Sequence, residues 1–180
     1  MTVPASTVDL TCPAKVRRYG QVLGPDGRPV RANFQIVATR LADALVTTRT
    51  AFTTPTDSNG IYHVVADGGR WRFEVMPPPD AALPRGIVQF DLDGSDPGES
   101  ALPAIRISTP LQAVGTVKGL KAGSPDAVVP GAQVSFFAVD ASGQSVFLGS
   151  GLTDASGRYQ AILPDVAQSS ATLEPLPVPR

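Results

Sequence analysis

The densest run of chemistry-bearing residues is Asp91-Leu-Asp93-Gly-Ser-Asp96-Pro-Gly-Glu99. Carboxylates gathered on a turn are the donors that hard cations such as calcium prefer. The spacing departs from an EF-hand loop, because Pro97 and Leu102 fall where that loop needs a carbonyl ligand and a bidentate Glu. The run therefore reads as a solvated strand-to-strand connection. Asp91, Asp93, Asp96 and Glu99 are the residues to inspect for a metal. Trp71, flanked by Arg70, Arg72 and Phe73, has the chemistry of a glycan-stacking platform. In a strand, however, Trp71 and Phe73 share one face and the arginines the other, which is the pattern of a core-facing strand. Core packing is the favoured reading of Trp71 and glycan binding the lesser one. His63 sits between Tyr62 and Val64; an inward Tyr62 turns His63 outward. A nucleophilic triad needs His beside an activated Ser or Cys and a third orienting group, and no motif supplies them. Lys15, Arg17 and Arg18 read as an exposed basic patch.

Composition narrows the field further. The 180 residues include 17 Gly and 18 Pro, which favours turn-rich structure. Charged residues make up 17%, with 15 basic against 16 acidic and a net charge of −1, so the footprint of a general nucleic-acid binder is missing. A single Cys excludes an internal disulfide, and with a single His it argues against a structural zinc site. No apolar run approaches a membrane-spanning helix, so no direct membrane insertion is expected. Residues 1–10 lack the basic start and apolar stretch of a signal peptide. Either a signal has been removed or the protein is used without that export route. No cofactor is expected.

The elements that must position these residues are legible through a repeat. Tyr19-Gly20-Gln21-Val22, Gly27-Arg28-Pro29-Val30-Arg31-Ala32 and Thr56-Asp57-Ser58-Asn59-Gly60-Ile61-Tyr62 recur in order. Their counterparts are Val114-Gly115-Thr116-Val117, Val129-Pro130-Gly131-Ala132 and Thr153-Asp154-Ala155-Ser156-Gly157-Arg158-Tyr159. Residues 33–38 and 133–138 alternate apolar and polar, the mark of half-buried strands. The Asp-x-x-Gly segments are turns, where Asp accepts from nearby amides and Gly takes positive φ. Tyr62 and Tyr159 open the next strands, and a hydroxyl reaching backbone is expected of each. Residues 70–76, 86–91 and 104–108 read as further strands, and residues 40–45 have room for one helical turn. Short strands broken by such turns argue for an antiparallel β-sandwich.

The ordered motifs Gly-x-Val, Gly-x-Pro-Val-x-Ala and Thr-Asp-x-x-Gly-x-Tyr resemble the carboxypeptidase regulatory-like domains and their transthyretin-like and Cna B-type relatives. The resemblance covers residues 16–75 and 114–164. It implies prealbumin-like (Ig-like) sandwiches that serve as spacers, adhesion modules or accessory domains in bacterial surface and secreted proteins. Catalytic relatives differ from this chain. The transthyretin-like hydrolases use several His and Arg and a Tyr-Arg-Gly-Ser ending, and the intradiol dioxygenases bind iron through two His and two Tyr. The isopeptide crosslink of Cna B-type domains needs a Lys and an acidic helper; Lys118 lies in a first strand, without a matching Glu motif.

The expected organisation is an extended arm at 1–15, a first sandwich at 16–109, a shorter, incomplete second sandwich at 110–166 and a Pro-rich tail at 167–180. The second copy is short of strands, and open sheet edges are normally covered or paired. The arm around Val8-Asp9-Leu10 is one source of a donated strand. The expected function is a non-enzymatic structural or adhesive module of a bacterial envelope or secreted assembly, partnered by protein subunits or itself. A virion or filament component and a carbohydrate-binding module, with a glycan partner, are the alternatives.

Overall fold

The computed structural model describes residues 15–30, 33–41, 51–96, 98–121, 124–140, 143, 145–165 and 173–175. The readings made for 1–14 and 42–45 lie outside the described residues. Within these, the chain is all β, with no helix and no closed barrel.

The first set of strands is β1 (Lys15–Leu23), β2 (Gln35–Arg40), β3 (Ala51–Pro55), β4 (Ile61–Asp67), β5 (Gly69–Met76), β6 (Gly86–Leu92), β7 (Glu99–Ala101) and β8 (Ile105–Arg106). One sheet runs β4-β1-β7, with β8 also on β1, and the other runs β3-β2-β5-β6. Alternation builds the core between them. Val16 and Val22 of β1, Phe34 and Ile36 at β2, and Trp71 and Phe73 of β5 all turn inward and are buried. Each large apolar side chain so buried contributes about 1.5–3 kcal/mol. Leu102, Ile105 and Ile107 close this core beside β1.

The antiparallel expectation fails at one place. β7 and β8 run parallel to β1, pairing Tyr19 with Ala101 and Val22 with Ile105. The chain leaves β6 in the opposite sheet, crosses over the acidic loop and comes alongside β1 in the same direction. Pro103 breaks this returning segment into two short pieces, because proline cannot donate to a ladder.

The second set comprises β9 (Pro110–Thr116), β10 (Lys118–Lys121), β11 (Ser124–Val128), β12 (Gln133–Asp140), β13 (Ser145–Leu152), β14 (Arg158–Pro164) and β15 (Leu173–Pro175). β9 pairs with β14 as β1 pairs with β4, setting Gly115 opposite Tyr159 as Gly20 stands opposite Tyr62. β13-β12-β15 repeats β3-β2-β5, so a strand lies within the segment read as a tail. β10 and β11 form a separate hairpin.

The repeat extends to individual bonds. Val22 N–H donates to Gly60 O and Val117 N–H to Gly157 O, each at 2.8 Å. Phe34 N–H donates to Thr56 Oγ1 and Ala132 N–H to Thr153 Oγ1. Asp57 Oδ1 accepts from Asn59 and Ile61 amides, and Asp154 Oδ1 from Ser156 and Arg158 amides. Gly60 and Gly157 hold φ of +71° and +72°, as the turns require. The same wiring matches Val30 to Val129, since both donate to the repeated valine carbonyl. The two prolines near them are therefore not equivalent: one precedes its valine and the other follows.

The second core is thinner. Its buried cluster among the described residues is Ile87, Ala138, Val146 and Leu148, and Ile87 belongs to β6. The Arg85 guanidinium also lies 4.7 Å from the centre of the Phe147 ring, so β6 and β13 share a seam.

Candidate functional site

Arg18 reorganises the reading of the acidic loop. It lies on the inward face of β1 between Val16 and Gly20 and is 4% exposed. The expected exposed basic patch is thus corrected at this residue, while Lys15 and Arg17 do face outward. Period-two alternation carried the signal, since Val16, Arg18, Gly20 and Val22 occupy one face. The guanidinium donates to the carbonyls of Gly98 (2.8 Å), Asp93 (2.9 Å), Asp96 (3.2 Å) and Arg17 (2.8 Å). A permanently charged, planar five-donor group suits such a ring of carbonyls.

The carboxylates of the loop go elsewhere. Asp93 Oδ1 accepts from the Ser95 hydroxyl (2.7 Å) and amide (2.8 Å). Those bonds, the hydroxyl first, hold its carboxyl below the usual range. Asp96 Oδ1 accepts from the Gly98 amide, Asp91 faces Arg70, and Glu99 Oε1 lies 3.2 Å from His63 Nδ1. The four candidate calcium ligands therefore have four separate partners, and the loop's convergent carbonyls already hold a protein cation. Among the described residues, no group of three or more His, Cys, Asp or Glu is placed to hold a metal ion.

Trp71 is in the core. Its ring is 2% exposed and packs on Phe52 at 5.4 Å between centroids, while its Nε1–H donates to Asp67 O. The glycan-platform reading of Trp71 is corrected accordingly: stacking needs an open ring face, and this face is covered. His63 faces solvent, as alternation requires.

Tyr62 corrects a third expectation. Its ring is fully buried over Gly20, yet its hydroxyl has no hydrogen-bond partner. Burial alone pushes its pKa up from 10.0. Because the folded value lies above the unfolded one, this stabilisation is complete below pH 10 and is lost as pH rises beyond it. Tyr62→Phe is expected to leave stability at pH 7 unchanged or raise it by up to about 1 kcal/mol, since an unsatisfied hydroxyl is removed. It should also flatten the alkaline fall in stability, as read by urea titrations at pH 7 and pH 11. A loss of about 2 kcal/mol at neutral pH would mean the hydroxyl is bonded.

The remaining site is an edge. β1 is flanked by β4 on one side and by β7 and β8 on the other. Leu102 N–H donates to Tyr19 O (2.7 Å) and Ile107 N–H to Leu23 O (2.8 Å). β9 has β14 on one side, and no strand among the described residues pairs with its other side. Val114 occupies the place of Tyr19, so its main-chain groups point along that edge. Val114 is 68% exposed, and Leu111, which holds the inward place of Val16, is 48% exposed. Ala113 replaces Arg18, so this edge has no counterpart of the carbonyl-holding cation.

No protein-family model and no curated protein matches the sequence. Among solved structures, an (S)-allantoin synthase shares 13% identity over 54% of this chain and 42% of its own, at a TM-score of 0.38. A DUF3823 family protein from Parabacteroides merdae shares 7% identity over 87% of this chain and 86% of its own, at 0.38. A streptococcal ancillary pilin shares 13% identity over 94% of this chain and 61% of its own, at 0.37. The chain spans less than two thirds of the synthase and of the pilin. These are weak likenesses of all-β folds.

Proposed function

We propose that this chain is a non-enzymatic structural module of a bacterial surface or secreted assembly. It holds a protein partner by strand addition along the outer edge of β9. The observation that carries the reading is the contrast between the two copies of one plan. The first copy covers the edge of β1 with β7 and β8. Among the described residues the second leaves the same edge without a paired strand, with Leu111 and Val114 exposed. Main-chain hydrogen bonds would give such a partner affinity, and alternate side chains reaching the thin second core would give selectivity. Sparse charge fits a surface that packs against protein. The resemblance of the motifs to carboxypeptidase regulatory-like domains supports the same role.

The test uses a strand whose fit to this plan is known. A labelled peptide of residues 99–110 carries the β7 and β8 segments. It is expected to bind the full chain in fluorescence anisotropy, and Val114→Pro is expected to weaken it about tenfold or more. At Val114 the N–H points away from β14, so proline blocks the outer edge without removing a bond between β9 and β14. Absence of binding, or equal binding by the variant, would overturn the reading.

A further inference from the structure

We propose that the strand received at the β9 edge is β9 of a second copy of this chain, paired antiparallel about a two-fold axis at Val114. This rests on the strand-acceptor reading above and names its partner. The first support is strand number. Among the described residues β9 and β14 form a two-stranded sheet, whereas the matching sheet of the first sandwich has four strands. Two strands alone are marginal in water, and three or more are the usual minimum. Joining β9 to its own copy makes one sheet of β14, β9, the second β9 and the second β14. The second support is charge. Pro110-Leu111-Gln112-Ala113-Val114-Gly115-Thr116 contains no Asp, Glu, Lys or Arg. Edges that must stay unpaired are commonly guarded by charge, lysine above all. An uncharged strand also meets its own copy without like-charge repulsion.

The third support is register. On β1 the carbonyls of Tyr19 and Leu23 accept from the returning segment that carries β7 and β8. The repeat gives the same outward direction to the main-chain groups of Gln112, Val114 and Thr116 on β9, and all three side chains are exposed. A two-fold axis at Val114 sets Val114 against Val114 of the second copy and Gln112 against Thr116, an apolar pair between polar ones. On the other face of the strand it sets Leu111 against Val117 and Ala113 against Gly115. Leu111 and Val114, the exposed large apolar residues of β9, thus both meet apolar partners. Pro110 has no N–H to give and lies beyond these pairs. The contact uses the same surface on both chains and consumes both edges, so it closes at two.

Light scattering of the full chain over rising concentration is expected to show mass rising from one chain to two and stopping there. Val114→Lys places like charges opposite each other on the axis and should weaken the dimer about tenfold or more. The same variant should still bind the peptide of residues 99–110, which sets Ala101 rather than a charge against this position, as Ala101 stands on Tyr19. A Cys12→Ser background supplies a second measurement. There Val114→Cys should cross-link two chains on mild oxidation, because Cα atoms of a hydrogen-bonded antiparallel pair lie about 5.5 Å apart, within disulfide reach. Thr116→Cys should not, because its copies lie four residues apart along the strands, about 13 Å. If residues 99–110 bind but the full chain stays monomeric at all concentrations, the edge accepts strands and the proposed partner is wrong. If there is neither binding nor dimer, both readings fall. A dimer that Val114→Lys leaves intact, or one that Thr116→Cys cross-links and Val114→Cys does not, overturns the two-fold pairing.

Discussion

Arg18→Met is expected to lower the stability of the first sandwich by about 3 kcal/mol, since hydrogen bonds from a charged donor contribute about 1.5–3 kcal/mol each and the freed carbonyls regain some water. Methionine keeps the length and apolar stem of the side chain, so the loss isolates the donors. Three of the four acceptors, at Asp93, Asp96 and Gly98, lie in the segment that carries the chain from β6 to β7. Their release should therefore loosen the parallel pairing of β7 on β1 before it disturbs β2–β5. Trp71, the one tryptophan, lies in this core, and its fluorescence reports the transition in urea. Added calcium should not restore the variant, because the carboxylates of the loop remain turned to Ser95, Gly98, Arg70 and His63. An unchanged midpoint would show that the guanidinium does not hold the loop.

The second large effect is expected at Gly151. β13 and β14 belong to facing sheets and approach each other at Gly149 and Gly151. A Cβ at Gly151 would press on the Gln160 carbonyl oxygen and lie 3.0 Å from its carbon, and a Cβ at Gly149 would lie 2.8 Å from Ile162 O. The obstacle is main chain, so no rotamer change relieves it. Gly151→Ala is expected to cost the second sandwich about 3 kcal/mol, the upper range for overpacking, because the sheets must separate. Amide protection in β13 and β14 should collapse while the Trp71 transition moves far less. Gly131→Ala is the contrast on a turn: no atom lies within 4 Å of its added Cβ, and its φ of +71° makes backbone strain the expected cost. Equal protection in Gly151→Ala and the parent would contradict the close approach of the sheets.

What the sequence made legible follows from which interactions are local. The Asp57 and Asp154 turns are fixed by residues two to four positions apart, so their motif predicted their bonds. The core faces of β2 and β5 were legible from alternation, including the burial of Trp71. The parallel β7 and β8 were not. They are too short for a periodic signal, Pro103 interrupts them, and their pairing depends on a crossover from the opposite sheet. Arg18 was misplaced because charge was weighed above alternation. Its three loop partners lie 75 to 80 residues away, so no spacing motif could name them. The acidic loop was recognised as chemically dense, but its carboxylates and carbonyls sort to different partners only in three dimensions. Which edge of the second copy lacks a partner among the described residues needed the register of β9 against β14.

The most direct test of the account is an amide NMR titration of the isotope-labelled chain with the unlabelled peptide of residues 99–110. The account predicts shifts concentrated on β9, at Gln112, Val114 and Thr116, with new protection of the outward amides. Shifts centred on another strand, or no shifts at all, would contradict an open acceptor edge at β9.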